Sequence, residues 1–121
     1  MIPNQFSERK MNSHNRVNYR PKHLEVWLVD IPFDGRDGSK VRPAIVIKES
    51  GGKYGVVMMT SSPPSSEYDF ILMDPESAGL EYGSTVKAGK IYYVTPSKFR
   101  TKKGTLSEYD KEELRIRMNY I

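Results

Sequence analysis

The sequence contains no cysteine and only two histidines, His14 and His23. The first absence excludes disulfides, Cys-ligated zinc and thiol catalysis, and it fits a reducing cytoplasm. The second excludes a histidine-pair nuclease, because the two do not sit in one structured segment. No His, Asp and Glu set has metal-ligand spacing, so neither a metal ion nor another cofactor is expected. The phosphate loop, the dinucleotide fingerprint and the serine-hydrolase elbow are all missing. No apolar run approaches the about 18 residues that read as a membrane-spanning helix, and the N-terminus lacks the apolar stretch of a secretory signal. A membrane partner is therefore not expected. What remains for hydrolytic chemistry is Arg, Lys, Ser, Thr, Tyr and the carboxylates.

Net charge is also missing from most of the chain. The protein has 121 residues, which suits a single domain, and a formal charge of +4. Residues 1–22 hold Arg9, Lys10, Arg16, Arg20 and Lys22 against Glu8, which accounts for all of it. The remaining 99 residues carry 14 basic and 14 acidic side chains. Residues 1–22 are rich in Asn, Ser, Arg and Lys without apolar periodicity, and read as a basic, disordered extension attracted to polyanions at long range. The folded domain is expected over 23–121, and it must bind any polyanion through a local cluster rather than through bulk charge.

Within that domain the spacing predicts mostly short strands. Leu24–Val29 and Val41–Lys48 flank a polar loop from Asp30 to Lys40 that contains Pro32, Gly35 and Gly38. Ser50-Gly51-Gly52-Lys53 is a hairpin turn leading into a third strand, Tyr54–Thr60. The Pro-rich Ser61–Ser66 is a loop. A short strand over Asp69–Met73 precedes a helical turn opened by Asp74-Pro75 and stopped by Gly79. Two more strands, Ser84–Ala88 and Ile91–Thr95, break at Gly89. Ser107 and Asp110 have the form of a capping box ahead of a C-terminal helix. Leu114, Met118 and Ile121 fall on one face of that helix, and Tyr109, Ile116 and Tyr120 on the opposite one. The expected fold is mainly β with a C-terminal helix, an α+β small barrel. The second helix stripe suggests a partner subunit.

Two constellations can carry chemistry. In Gly38-Ser39-Lys40-Val41-Arg42-Pro43-Ala44 a polar loop runs into a buried strand, and Arg42 stands where the strand begins. Arginine beside a core needs a partner or a task. It is either paired with a carboxylate or free to clamp phosphate through its planar fork. In Met59-Thr60-Ser61-Ser62 the hydroxyls either cap a turn or donate to a phosphoryl oxygen. The Gly51-Gly52 hairpin puts Arg42 and Thr60 at the same far end of adjacent strands.

At this point the residues match a known family. "EVWLVDIPFDGRDGSKVRPAIVI" resembles the MazF/PemK/Kid toxins, with their Gly-Ser loop followed by an R-P-A-[IV]-V-I strand. "VVMMTSS" is similar to their strand ending in Thr-Ser. "YDFILMDPESAGLEYGSTVKAGKIYYVTPSKF" and "KKGTLSEYDKEEL" resemble the later segments, so the likeness runs over 24–121. It implies an SH3-like small barrel of the PemK/CcdB type and a homodimer. It also implies an endoribonuclease cutting single-stranded RNA without a metal, leaving a 2′,3′-cyclic phosphate and a 5′-hydroxyl. Arg42 and Thr60 match the catalytic residues. Ser39, Lys40, Pro43, Ser61 and Lys87 are the candidate RNA-binding set, and Asp34–Val41 matches the loop that covers RNA. A cognate antitoxin with an acidic segment is the implied partner. The sequence departs from the family in its basic leader, in Pro63-Pro64, and in His23-Leu24, which replace a glycine before the first strand. It also offers no counterpart of the extra Asp and His used by some members. Two alternatives share the fold: a CcdB-like gyrase poison and a non-cleaving nucleic-acid-binding barrel.

Overall fold

The computed structural model describes residues 20–119. The expected basic extension over 1–22 falls outside these residues except for its last three, and so do Tyr120 and Ile121 of the two helix stripes.

Seven strands form one sheet: β1 (Glu25–Pro32), β2 (Ser39–Ser50), β3 (Lys53–Thr60), β4 (Asp69–Ile71), β5 (Thr85–Lys87), β6 (Tyr92–Val94) and β7 (Phe99–Thr105). A 3-10 turn at Pro96–Lys98 links the last two, and one helix, α1 (Glu108–Met118), follows. The strand order is β4-β5-β3-β2-β1-β7, with β6 paired to β3 beside β5. Antiparallel pairing of β2 and β3 runs down to Ser50 opposite Lys53 across the Gly51-Gly52 turn, where φ is 60° and 83°. The loop between β1 and β2 is shorter than the sequence suggested. The strands extend to Pro32 and back from Ser39, so only residues 33–38 are free of pairing.

The three central strands are apolar on both faces, and the alternation along each sends its side chains to two different cores. Val26, Ile45, Val57 and Met59 join Phe70, Leu72, Val86, Leu106 and Leu114 on the side covered by α1. Trp27, Val29, Ala44, Val46 and Val56 join Ile31, Tyr54 and Val94 on the other. Burial on both sides explains why these strands read as near-continuous apolar runs. Each fully buried Val or Ile adds about 1.5–3 kcal/mol of transfer energy. Phe99 closes the second cluster through edge-to-face contacts with Trp27 and Tyr54, at centroid distances of 5.6 and 5.1 Å.

The sheet therefore curls as a barrel does, yet hydrogen bonding does not close it. Among the described residues its end strands β4 and β7 do not pair. The gap is bridged by the turn over 74–80, which crosses β7 backbone against backbone. Thr105 donates its amide to the Ser77 carbonyl at 3.1 Å, and the Ser77 hydroxyl donates to the Thr105 carbonyl at 2.8 Å. A Cβ on Gly79 would stand 1.9 Å from the Lys103 carbonyl oxygen, and one on Gly104 would stand 2.4 Å from that of Ser77. The crossing thus needs two glycines, and Gly79 also has φ of 78°. The segment opened by Asp74 is a turn and not a helix, although Asp74 caps it by accepting the Ser77 amide at 3.1 Å.

α1 begins where the capping residues indicate, with Ser107 accepting the Asp110 amide at 3.1 Å. Asp110 itself is fully buried. Its carboxylate accepts the backbone amides of Met73 and Asp74 at 2.9 and 3.0 Å, so the box is turned outward to hold the segment that follows β4. Arg117 pins the other end of the helix by donating to the carbonyls of Glu67 and Asp69 at 2.8 and 2.7 Å. Leu114 is buried and Met118 packs on the same core. On the opposite stripe Tyr109 is 68% exposed.

Candidate phosphate-binding cleft

The ladder between β2 and β3 ends with Ala44 opposite Met58, and just beyond that end Arg42 and Thr60 line the same cleft. On its other side Arg42 faces Val29 of β1. Thr60 faces Thr85 of β5. Arg42 lies in step with Ala44 and Val46, so it continues the second core cluster to the rim of the curled sheet. Pro43 follows it, opposite Leu28, and fixes the backbone there. Together Lys40, Val41, Arg42, Pro43, Met59, Thr60, Ser61 and Ser84 line one cleft of about 230 Å³.

Of the seven candidate residues, five meet in this cleft: Lys40, Arg42, Pro43, Thr60 and Ser61. Ser39 lines a neighbouring hollow with Asp30, Tyr93 and Lys98 instead. Lys87 is held elsewhere. Its ammonium is 2.6 Å from the carboxylate of buried Asp69 and donates to the Ser65 hydroxyl at 2.9 Å. A larger cavity of about 640 Å³ lies on another part of the surface, over Trp27, Tyr54 and Phe99. Its Arg100 already donates to the Ser97 carbonyl at 2.7 Å and to Asp30 at 3.3 Å, and Thr60 and Arg42 are not part of it.

The sequence left Arg42 open between a structural ion pair and a free clamp. Among the described residues no carboxylate pairs with it. Thr60 serves both readings at once. Its hydroxyl oxygen accepts the Ser62 amide at 3.2 Å, which forms the turn, and this leaves its proton to donate.

The loop before β2 carries a cluster that sequence reasoning found only in part. Asp34 accepts a hydrogen bond from the Tyr92 hydroxyl at 2.9 Å and pairs with Lys90. The Lys90 ammonium lies 4.8 Å from the centre of the Tyr92 ring. Hydrogen bonds from Lys90 and Tyr92 hold the Asp34 carboxyl below its ordinary pKa. Burial, and then the Asp34 carboxylate, push the Tyr92 phenol above its ordinary value, while the nearby charge of Arg42 pulls against them. The loop is folded on itself. Phe33 donates its amide to the Gly38 carbonyl at 3.0 Å, and the Arg36 guanidinium lies 4.1 Å from the Phe33 ring centre. Asp34 and Lys90 stand 56 residues apart, and no local pattern marks them as partners. Among the described residues no three His, Asp or Glu side chains gather where a metal could sit.

A small curled sheet with a C-terminal helix, carrying at one end an arginine that pairs with no carboxylate among the described residues and a threonine in the same cleft, defines a class of compact β proteins. Residues 22–121 match the model of the PemK-like, MazF-like toxins of type II toxin–antitoxin systems. The chain belongs to that family. The fold is shared with a mycobacterial endoribonuclease solved in complex with its cognate antitoxin, at a TM-score of 0.66 and 11% identity, covering 84% of this chain and 93% of that one. A second mycobacterial endoribonuclease superposes at a TM-score of 0.63, also with 11% identity, over 83% of this chain and 88% of its own. No curated protein matches the sequence. Among the described residues no helix is long and apolar enough to cross a membrane.

Proposed function

We propose that this toxin is an endoribonuclease that cuts single-stranded RNA without a metal, by attack of the substrate's own 2′-hydroxyl. The observation that carries the reading is Arg42, which lines the same cleft as Thr60 and pairs with no carboxylate among the described residues. In this reaction the 2′-oxygen bonds to the adjacent phosphorus and the bond from phosphorus to the 5′-oxygen breaks. The products are a 2′,3′-cyclic phosphate and a 5′-hydroxyl. The protein needs no nucleophile, and DNA, lacking the 2′-hydroxyl, is not cut. Arg42 neutralises the charge that builds on the non-bridging oxygens, and Thr60 adds one neutral donor. With its pKa raised, Tyr92 keeps its proton at neutral pH and acts as a donor rather than a base.

Family membership supports the rest of the proposed reading. An acidic antitoxin segment competes with RNA at Arg42, the toxin acts as a homodimer, and it works in the cytoplasm. The test is single-turnover cleavage of a long single-stranded RNA with mapping of the new ends. Loss of one preorganised donor of this kind costs about 100- to 1,000-fold in rate. Arg42→Ala should therefore nearly abolish cutting while the melting temperature holds, and Arg42→Lys should rescue poorly because an ammonium lacks the planar fork. Full activity in Arg42→Ala would refute the assignment. Absence of cleavage by the wild type would favour a gyrase poison or a non-cleaving barrel.

A further inference from the structure

Lys90 and Tyr92 present two donors to one point, and that point is filled by a carboxylate from a different part of the chain. The Tyr92 hydroxyl donates to one oxygen of Asp34 at 2.9 Å, and the Lys90 ammonium pairs with the other. Tyr92 lies opposite Val56 of β3, which lies opposite Val46 of β2, so Tyr92 projects from the same face as Arg42. The charge of Arg42 reaches the Tyr92 hydroxyl and favours its ionised form, as expected for two groups on one face of the sheet. One cationic and one hydroxyl donor on the same face as an arginine that pairs with no carboxylate among the described residues is what a second phosphate along a strand would require.

The carboxylate that fills the point is not built in firmly. Asp34 is 62% exposed and Lys90 55% exposed, and an ion pair so open to water is easily given up. Asp34 also sits in the six-residue stretch between β1 and β2 that pairs with no strand. A carboxylate and a phosphodiester offer the same pair of anionic oxygens, so one can replace the other without rearranging the donors.

We infer that Lys90 and Tyr92 form a second phosphate subsite next to Arg42, and that Asp34 occupies it as a displaceable plug while no nucleic acid is bound. The inference rests on the reading of Arg42 as a phosphate ligand. It adds the ligands of a neighbouring backbone phosphate and a reason for the β1–β2 loop to move when substrate arrives. Displacing Asp34 frees that loop to fold over the strand that replaced it.

Plug and latch predict opposite signs, which makes the inference testable. Binding is read by fluorescence anisotropy with mixed-sequence single-stranded DNA, which is not cut by 2′-hydroxyl attack, and KM and kcat are read with single-stranded RNA. Asp34→Asn should tighten binding about three- to ten-fold and lower KM with little change in kcat. Lys90→Met should weaken binding by a similar factor and reduce the salt slope by about one counterion. Tyr92→Phe should weaken it less. In the double variant Asp34→Asn with Lys90→Met the tightening should vanish, because the plug and the phosphate use the same ammonium. If Asp34→Asn weakens binding as Lys90→Met does, the three residues merely brace the loop and the inference is wrong. Unchanged binding in all three single variants also overturns it. Arg42→Ala is measured alongside. Loss of cleavage there with no effect at Lys90, Tyr92 and Asp34 sinks the subsite alone, whereas full cleavage in Arg42→Ala sinks the functional reading on which it rests.

Discussion

At the scale of single residues, two of the candidates separate by what holds them. Thr60 accepts the Ser62 amide with its oxygen and keeps its proton for a ligand. Thr60→Ser should then retain most of the cleavage rate. Thr60→Val removes both functions and Thr60→Ala does the same with less bulk, so both should lose on the order of ten-fold, less than Arg42→Ala because the missing donor is neutral. Single-turnover rates decide it, and a Val variant as fast as wild type would leave Thr60 as a turn residue only. Lys87 is the contrasting case. Its partner Asp69 is a buried carboxylate that also accepts the Ser65 amide and the hydroxyls of Ser65 and Ser66. Lys87→Met should cost about 1–3 kcal/mol of stability by leaving that charge underpaired, with RNA cleavage kept at temperatures where the variant is folded. Burial alone would raise the Asp69 pKa, but the bonds from Lys87, Ser65 and Ser66 outweigh it and the carboxyl ends below its ordinary value. A depressed folded pKa contributes stability above the unfolded value of about 4 and loses it as pH falls through the folded one. Urea midpoints measured from neutral pH downward should show that acid loss in the wild type, and Asp69→Asn should flatten it.

At the scale of elements, the strands with two buried faces and the glycine hairpin were legible because burial and turn chemistry are local signals. The C-terminal helix was legible for the same reason, through Ser107. What escaped was β7. Its Phe99-Arg100-Thr101-Lys102-Lys103-Gly104-Thr105 has little apolar alternation, since the strand is an edge and four of its seven residues are exposed. Only its pairing with β1 and the crossing at Gly104 reveal it. Leu24 was half legible. The sequence lacks the family's glycine there, and Leu24 takes φ of 69°, a backbone that favours glycine, because its amide and carbonyl are both bound, to Val46 and Leu106. The meeting of Arg42 and Thr60 in one cleft could be read from the hairpin, whereas the Asp34, Lys90 and Tyr92 cluster depends on how the sheet curls. Asp110 combines a local and a distant role, and it yields an element-scale prediction. Asp110→Ala removes the acceptor of two backbone amides from the segment beside the helix, and it should cost about 2–4 kcal/mol. Asp110→Asn keeps one acceptor oxygen and should cost roughly half. Equal urea midpoints for Asp110→Ala and wild type would show that the helix is held by Leu114 and Arg117 alone.

At the scale of the whole molecule, charge and shape are divided between different parts of the chain. Residues 23–121 are neutral in sum, so on the proposed reading any grip on a polyanion falls to the cleft and its rim, where position is set by β2, β3 and β6. The excess positive charge lies before residue 23. The structure indicates where the two can be parted. Lys22 donates its amide to the Glu25 carboxylate at 2.9 Å, and that carboxylate also accepts the Trp27 indole at 2.8 Å, so Lys22 belongs to the fold. A truncation that begins at Arg20 spares this contact and removes Arg9, Lys10 and Arg16 together with Glu8, half of the chain's net charge. Each phosphate neutralised by a basic residue contributes about 0.7 to the slope of log affinity against log salt on single strands. Removing residues 1–19 should therefore weaken RNA binding at low salt and flatten its salt dependence by about one to two units. Melting temperature and the sequence at the cut should stay the same, because contacts to backbone phosphates carry no base readout. The measurement is binding across a salt series, paired with mapped RNA ends for both proteins. A shifted cut sequence in the truncated protein would mean that residues 1–19 help to build the site, and the division between a basic leader and a neutral, geometry-reading domain would fail.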